Sequence, residues 1–386
     1  MNKLKRIGIS ALAGTLVSLS AAQAGGGVSV SGSYELSYTN LDHDEVAGNK
    51  LGVKKNISFG AGGDLSDGGG VTWATNIGWT DGADLSSASI AINMGGIATL
   101  TYDSGGGGTG ANAVDNIVPT AWEEVDYGFK TGISDVGAVS ASKGVINLTV
   151  KAPVAGSGVS LSYSSGMSGG HTSDGGVAGA DGYKGVDLVV DFVNYDAAHA
   201  GLRFGMAAQV ELPQVTCNRI RKDRANVADL NSCGNGHKNN PYAGTSYLKL
   251  QLGPLHIGTQ ATFKSLETNK TTAVMNQRAI VGGAALVFGD TLSVSYGIAK
   301  DKYRYNNRNR GANAITPTGL CNANDSYCGG DESNEYVTQK YSGWSAALNL
   351  GPVALKGTHN RVKGDKKSSI YAQEQKHSEL NLSIAF

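Results

Sequence analysis

The sequence predicts an all-β fold, a transmembrane antiparallel β-barrel of about sixteen strands with one connection folded inward. Three observations predict it. Side-chain character alternates with a period of two along almost the whole chain. The connections between alternating runs are short and long in turn. No stretch beyond the N-terminus approaches 18 consecutive apolar residues, so a helical span is not expected. Composition agrees. Gly is 56 of 386 residues and Pro only 7, and charged residues are 17%, below the usual ~25%. Each Gly disfavours a helix interior by about 1 kcal/mol, which argues against a helical bundle. The 32 basic and 32 acidic residues balance, so the electrostatic footprint of a nucleic-acid binder is missing.

Lys3, Lys5 and Arg6 open the chain, an apolar stretch runs from Ile7 to about Leu19, and Ala22-Gln23-Ala24 follows. That order predicts a signal peptide over residues 1–24, with the barrel domain over 25–386. The apolar stretch is too short and too rich in Ser and Gly for a membrane anchor. Once the leader's three charges are gone, 29 bases face 32 acids.

The first predicted strand, 27–39, carries Val28, Val30, Tyr34, Leu36 and Tyr38 on one face and Ser29, Ser31, Ser33, Glu35 and Ser37 on the other. Strands follow at 51–62, 69–80 (Val71, Trp73, Ile77 and Trp79 on one face), 85–95 and 97–103. After a long connection come 143–152, 158–165, 183–195 and 200–212, the last with Leu202, Phe204, Met206, Val210 and Leu212 aligned. Then come 242–253, 254–266, 276–288, 291–301, 336–350, 352–363 and 375–386. The final run aligns Leu380, Leu382, Ile384 and Phe386. Residues 183–195 and 276–288 alternate less cleanly, with apolar residues on both faces.

Short connections lie at Gly62–Gly68, Gly95-Gly96, Pro153–Ser157, Asp196–His199, Gly253-Pro254, Gly289-Asp290 and Gly351-Pro352. Long ones run near 40–50, 104–142, 166–182, 213–241, 267–275, 302–335 and 364–374, and only 81–84 breaks the rhythm. A soluble sandwich or β-helix has no reason to place its short turns on every second connection. A transmembrane barrel does, with short turns toward the periplasm and long loops outside. Backbone groups in a bilayer must pair with one another, so the sheet must close.

If the apolar face meets lipid, the polar face lines a lumen, and sixteen strands enclose an aqueous tube rather than a packed core. The alternation turns Lys54, Asp187, Asp191, Arg203, Gln209, Lys249, Gln251, Gln260, Lys264, Arg278 and Lys356 inward. Tyr34, Tyr38, Trp79, Tyr102, Tyr163, Tyr247, Tyr296 and Trp344 are expected in interfacial girdles. Cys217, Cys233, Cys321 and Cys328 all fall in long loops. Exported cysteines can oxidise; local pairing would link Cys217 to Cys233 and Cys321 to Cys328, though three connectivities are possible.

With these features the mature chain resembles, over its whole length, the trimeric general porins of Gram-negative outer membranes. The leader, the sixteen-strand hairpin rhythm, Phe386 after an alternating strand and the long loop after the fifth strand carry the resemblance. The loop reads Asp115-Asn-Ile-Val-Pro119-Thr-Ala-Trp122-Glu123-Glu124, with Asp126 beyond, and looks closest to the alphaproteobacterial kind. It lacks the Pro-Glu-Phe-Gly-Gly stretch of enterobacterial members, and the short second loop departs from members that latch onto a neighbour.

The resemblance implies a loop folded into the pore. Its acids Asp115, Glu123, Glu124 and Asp126 would face the basic wall residues Lys54, Arg203, Lys249, Arg278 and Lys356. It also implies Phe386 as the signal read by the outer-membrane assembly machinery. It further implies a homotrimer in outer-membrane lipid and lipopolysaccharide, passing ions and small hydrophilic solutes without cofactor or catalysis. A substrate-selective channel is one alternative, but the expected inward aromatic ladder is not seen. A barrel enzyme and an exported structural or adhesin β-protein are the others.

Three motifs compete with this reading. Gly105-x-Gly107-x-x-Gly110 matches a dinucleotide fingerprint but has no βαβ unit around it. Gly166-Met-Ser168-Gly-Gly170 fits a nucleophile elbow but has no strand-to-helix turn. His43 between Asp42 and Asp44 reads as a solvated loop rather than a cation site. No C-x-x-C or His-x-x-x-His spacing suggests a metal.

Overall fold

The structure, a computed structural model, describes residues 27–41, 50–65, 70–81, 85–104, 109–129, 143–152, 156–167, 184–195, 200–212, 242–265, 274–305, 336–365 and 373–386. The expected leader and all four cysteines lie outside the described residues. Sixteen strands follow in order: β1 Gly27–Leu41, β2 Leu51–Asp64, β3 Val71–Thr80, β4 Leu85–Met94, β5 Ala98–Asp103, β6 Lys143–Lys151, β7 Gly158–Met167 and β8 Lys184–Tyr195. The rest are β9 Ala200–Leu212, β10 Tyr242–Leu252, β11 Leu255–Ser265, β12 Val274–Phe288, β13 Leu292–Tyr305, β14 Val337–Leu350, β15 Val353–Gly364 and β16 Gln375–Ala385. Each pairs antiparallel with its neighbour in sequence, and β1 pairs with β16 from Ser33↔Ala385 to Leu41↔His377. The sheet is therefore a closed barrel, which leaves no edge strand unpaired.

The alternation sorts the two faces. Leu36, Ile57, Leu100, Leu161, Leu188, Leu248 and Leu382 all stand exposed on the outer face. Their polar neighbours Ser162, Gln209, Gln260 and Asn381 are buried on the inner face. This inverts a soluble protein and suits a wall with lipid outside and polar groups within. Tight turns at Gly253-Pro254, Gly289-Asp290 and Gly351-Pro352 join successive pairs. Gly253, Gly289 and Gly351 have φ of 58°, 61° and 68°, a left-handed backbone that glycine adopts at little cost. Strand boundaries lie within a few residues of those expected. β13 runs on to Tyr305, because Asp301-Lys-Tyr-Arg-Tyr305 continues the alternation in polar form.

Candidate functional site in the barrel interior

The inner face becomes a site through residues 109–129, which follow β5. Gly110–Val114 form a 3₁₀ turn lying against β7, β8 and β9. Ala111, Val114 and Ile117 pack on Val189, Ala207, Ala243 and Tyr247 from the inner faces of β8, β9 and β10. The Ile117 N–H donates to Gln260 Oε1 at 3.1 Å, while Gln260 Nε2 donates to the Val114 carbonyl at 2.9 Å. Farther on, the Ala121 N–H donates to Ser295 Oγ (2.9 Å) and the Trp122 N–H to Ser345 Oγ (3.2 Å). Asn360 Nδ2 donates to the carbonyls of Glu124 (2.9 Å) and Tyr127 (3.2 Å). The Tyr127 hydroxyl donates to Glu379 Oε2 at 3.1 Å. The segment thus contacts β7 through β16 in rotational order, always on their inner faces.

A row of glycines makes room for it. Gly258↔Gly283, Gly283↔Gly297 and Gly297↔Gly343 are register neighbours on the inner faces of β11 to β14. A Cβ on Gly258 would strike the Pro119 ring, and one on Gly283 would come within 2.8 Å of Val118. Beside this trough Val118 and Val125 pack with Ala279, Val281, Ala299, Tyr341 and Val362, and Phe129 adds to the cluster.

Each residue expected at the site has a definite place. Asp115, Glu123, Glu124 and Asp126 are half-buried along the segment. Lys54 lies on the inner face beside its register neighbour Glu35. Lys356 is 4% exposed, with Nζ 5.9 Å from the centre of the Trp122 ring. Glu123 therefore shares its surroundings with Lys356, Lys54, Glu35 and Glu379. Burial pushes its carboxyl up to about 7, the Glu379 charge adds to the rise, and the lysines oppose it. Glu124 is pushed up to about 8 by burial first and by the Glu123 charge second. Burial also raises the Tyr127 phenol, with Glu379 adding to it.

On the wall formed by β8 to β10, Arg203 and Lys249 are register neighbours facing inward. Arg203 grips Asp191 bidentately, with Nη2 2.7 Å from Oδ2 and Nε 3.1 Å from Oδ1, and stacks over Tyr247. Its charge is offset within the wall itself.

Two expectations are corrected. Arg278 is not on the inner wall. Its register neighbours Phe263 and Lys302 are outward, and its guanidinium lies over the Phe263 and Tyr336 rings. β12 is apolar on both faces and shifts register between Val274 and Asn276, so alternation did not fix its facing. Tyr247 is not in an outer girdle; it is 5% exposed on the inner face. Phe386 is exposed, and its backbone exchanges hydrogen bonds with Gly32 at 2.9 and 3.0 Å. Gln260, Ser295, Ser345, Asn360 and Glu379 hold the segment; alternation turned Gln260 inward, but the other four were not singled out from the sequence. The glycines spaced to share one row were the signal that could have found them.

No protein-family model matches the chain, and no curated protein matches it in sequence. Solved structures do match in fold. OmpF of Salmonella typhi, in complex with daunomycin, superposes with a TM-score of 0.57 at 11% identity, covering 93% of this chain and 97% of that one. An anion-selective porin from Comamonas acidovorans gives 0.51 at 13%, covering 94% and 100%. The trimer form of OmpT, an outer membrane protein of Vibrio cholerae, gives 0.54 at 9%, covering 94% and 100%. The chain thus has the closed sixteen-stranded antiparallel barrel of the porins. At these identities the likeness is one of fold.

Proposed function

We propose that this chain is an outer-membrane channel through which ions and small hydrophilic solutes diffuse passively, without catalysis. The observation that carries the reading is the inverted barrel, apolar outside and polar within, traversed by one acidic segment. Residues 109–129 form the constriction in this reading, and the long connection after β5 is the loop that narrows the pore. Glu123 and Glu124 supply its titratable negative charge, and Lys54 and Lys356 line the same section. Export through a cleaved leader over 1–24 and assembly as a homotrimer belong to the same proposal. They are supported by the sequence pattern and by the trimer form of the Vibrio cholerae neighbour.

Planar-bilayer recording tests the proposal. The refolded protein should give stepwise, ohmic conductance in KCl. Detergent-solubilised protein that never opens a channel would sink it.

A further inference from the structure

The inner wall changes character around the barrel. On β6 and β7 it is mainly hydroxyls and amides: Asn147 Nδ2 donates to Ser162 Oγ at 2.8 Å, and the Thr149 hydroxyl meets Asn147 Oδ1 at 2.9 Å and Ser160 Oγ at 2.7 Å. On β9 to β11 bases stand instead, on the short-turn side of residues 109–129. The segment touches β10 at Ala243 and Tyr247, and β11 at Gln260 and at Gly258, where the Pro119 ring lies. Lys249 and Gln251 follow Tyr247 toward the Gly253-Pro254 turn, and His256 stands between that turn and Gly258. Arg203 is the register neighbour of Lys249, and Gln251 is the neighbour of both His256 and Gly201. Opposed side chains lie about 5 Å apart at Cβ and diagonal ones about 7–8 Å, so these polar groups reach into one volume. Gly201 puts no side chain into it.

The charge of this patch is only partly balanced. Asp191 is held by Arg203, with Nη2 2.7 Å and Nε 3.0 Å from Oδ2. The charge that acts on Lys249 is a second base, Arg203, and the charge that acts on His256 is Lys249. Among the described residues no carboxylate pairs with the Lys249 ammonium. Like charges directly opposite on neighbouring strands destabilise a sheet. A wall that keeps Arg203 and Lys249 side by side is complementary to an anion.

We propose that Lys249, Gln251 and His256, backed by Arg203, form a binding site for a phosphate-class oxyanion. It lies on the short-turn side of the segment, apart from the wall of Lys54 and Lys356. The Lys249 ammonium supplies the charge, while the Gln251 amide and the His256 ring N–H offer donors to the remaining oxygens. Arg203, neutralised by Asp191, fixes one side. Donors converging from several directions suit a tetrahedral oxyanion, whereas chloride gains only the ammonium. The site names one solute class for the proposed channel and in that sense rests on that reading.

The test titrates folded protein in detergent micelles with inorganic phosphate at neutral pH and reads the dissociation constant from phosphorus NMR line broadening. One hydrogen bond to a charged group is worth about tenfold or more, so Lys249→Gln should weaken phosphate binding by at least about tenfold. His256→Phe keeps the ring and loses the donor, and should weaken it severalfold. Asp191→Asn removes the patch's carboxylate and should tighten it. Lys151→Gln alters an exposed base on β6, held to Asn93 at 3.3 Å, and should bind as the parent does. Heat-modifiable gel migration confirms the folding of each variant. Undiminished binding by Lys249→Gln, weaker binding by Asp191→Asn, or chloride displacing phosphate at equal concentration would overturn the site. Bilayer conductance in KCl on the same preparations separates that result from failure of the channel reading. The NMR titration needs no current, and a pore lacking this site still conducts.

Discussion

Glu123 and Glu124 ionise later than a carboxyl in water, at about 7 and about 8, because burial against the wall disfavours their charge. The folded protein keeps their protons from about pH 4.5 upward, where the unfolded chain has released them. The stability with which the segment docks therefore falls as pH rises through that window. The pore meanwhile gains negative charge over the same range. A cation in water about 7 Å from one carboxylate gains about 0.6 kcal/mol, roughly threefold in occupancy. Cation preference should accordingly rise between pH 6 and pH 9. Glu123→Gln/Glu124→Gln should shift selectivity toward anions and flatten that pH dependence. Reversal potentials across a KCl gradient measure both, and the shift should vanish at 1 M salt, where the screening length is about 3 Å. A pH-independent reversal potential in the parent would take these two residues out of the constriction. Gln260 makes a second single-residue case, since it satisfies two backbone groups of the segment at once. Gln260→Leu should cost about 2 kcal/mol of docking and expose residues 109–129 to added protease, while the barrel still migrates as folded.

At the scale of elements, the glycine row on β11 to β14 and the segment lying in it are one unit. Gly283→Val would place a methyl group into Val118 and the Pro119 carbonyl, an overpacking worth about 1–3 kcal/mol. The expected result is a noisier channel of altered conductance with unchanged barrel stability; an unchanged single-channel trace would mean that the segment does not depend on that trough. The same unit explains what the sequence showed and what it hid. Strands with a polar inner face, such as β1 with Ser29, Ser33 and Glu35, announced themselves by clean alternation. β8 and β12 did not, because Val189, Ala279 and Val281 face inward to pack against the segment. Their apolar character on both sides was the imprint of a partner distant in the chain. Pattern alone could not assign a facing there, and Arg278 was placed on the wrong side for that reason. The acids of the segment were legible as a cluster. Their basic neighbour Lys356 was expected there, but the acids Glu35 and Glu379 were not, because β1 and β16 converge on the segment only once the barrel closes.

At the scale of the whole molecule, the turns carry a topology prediction. Single cysteines introduced at residue 253 or 351 should stay unlabelled by an impermeant maleimide on intact cells, while one at residue 336 or 365, at the other rim, should react. The reverse labelling pattern would turn the barrel over. Phe386 fits the same frame, since a side chain at Gly32 would strike its ring. Gly32→Val should therefore reduce the yield of heat-modifiable barrel.

Closure joins residues far apart in the chain: Thr39 on β1 donates to Glu379 on β16, 340 positions later. No arrangement of the intervening strands can satisfy that seam early. Until β16 arrives, the growing sheet has two raw edges, each a row of unpaired amides able to template on another chain. The slow step in maturation is then the meeting of the two ends, a search whose entropic cost grows only logarithmically with the length it spans. Kinetically, the protein is vulnerable for as long as it is an open ribbon. Refolding should accordingly show aggregation that climbs with protein concentration and stops when the seam forms. A disulfide engineered across the pair Tyr38↔Leu380, reduced until late in refolding, would trap that moment and time it.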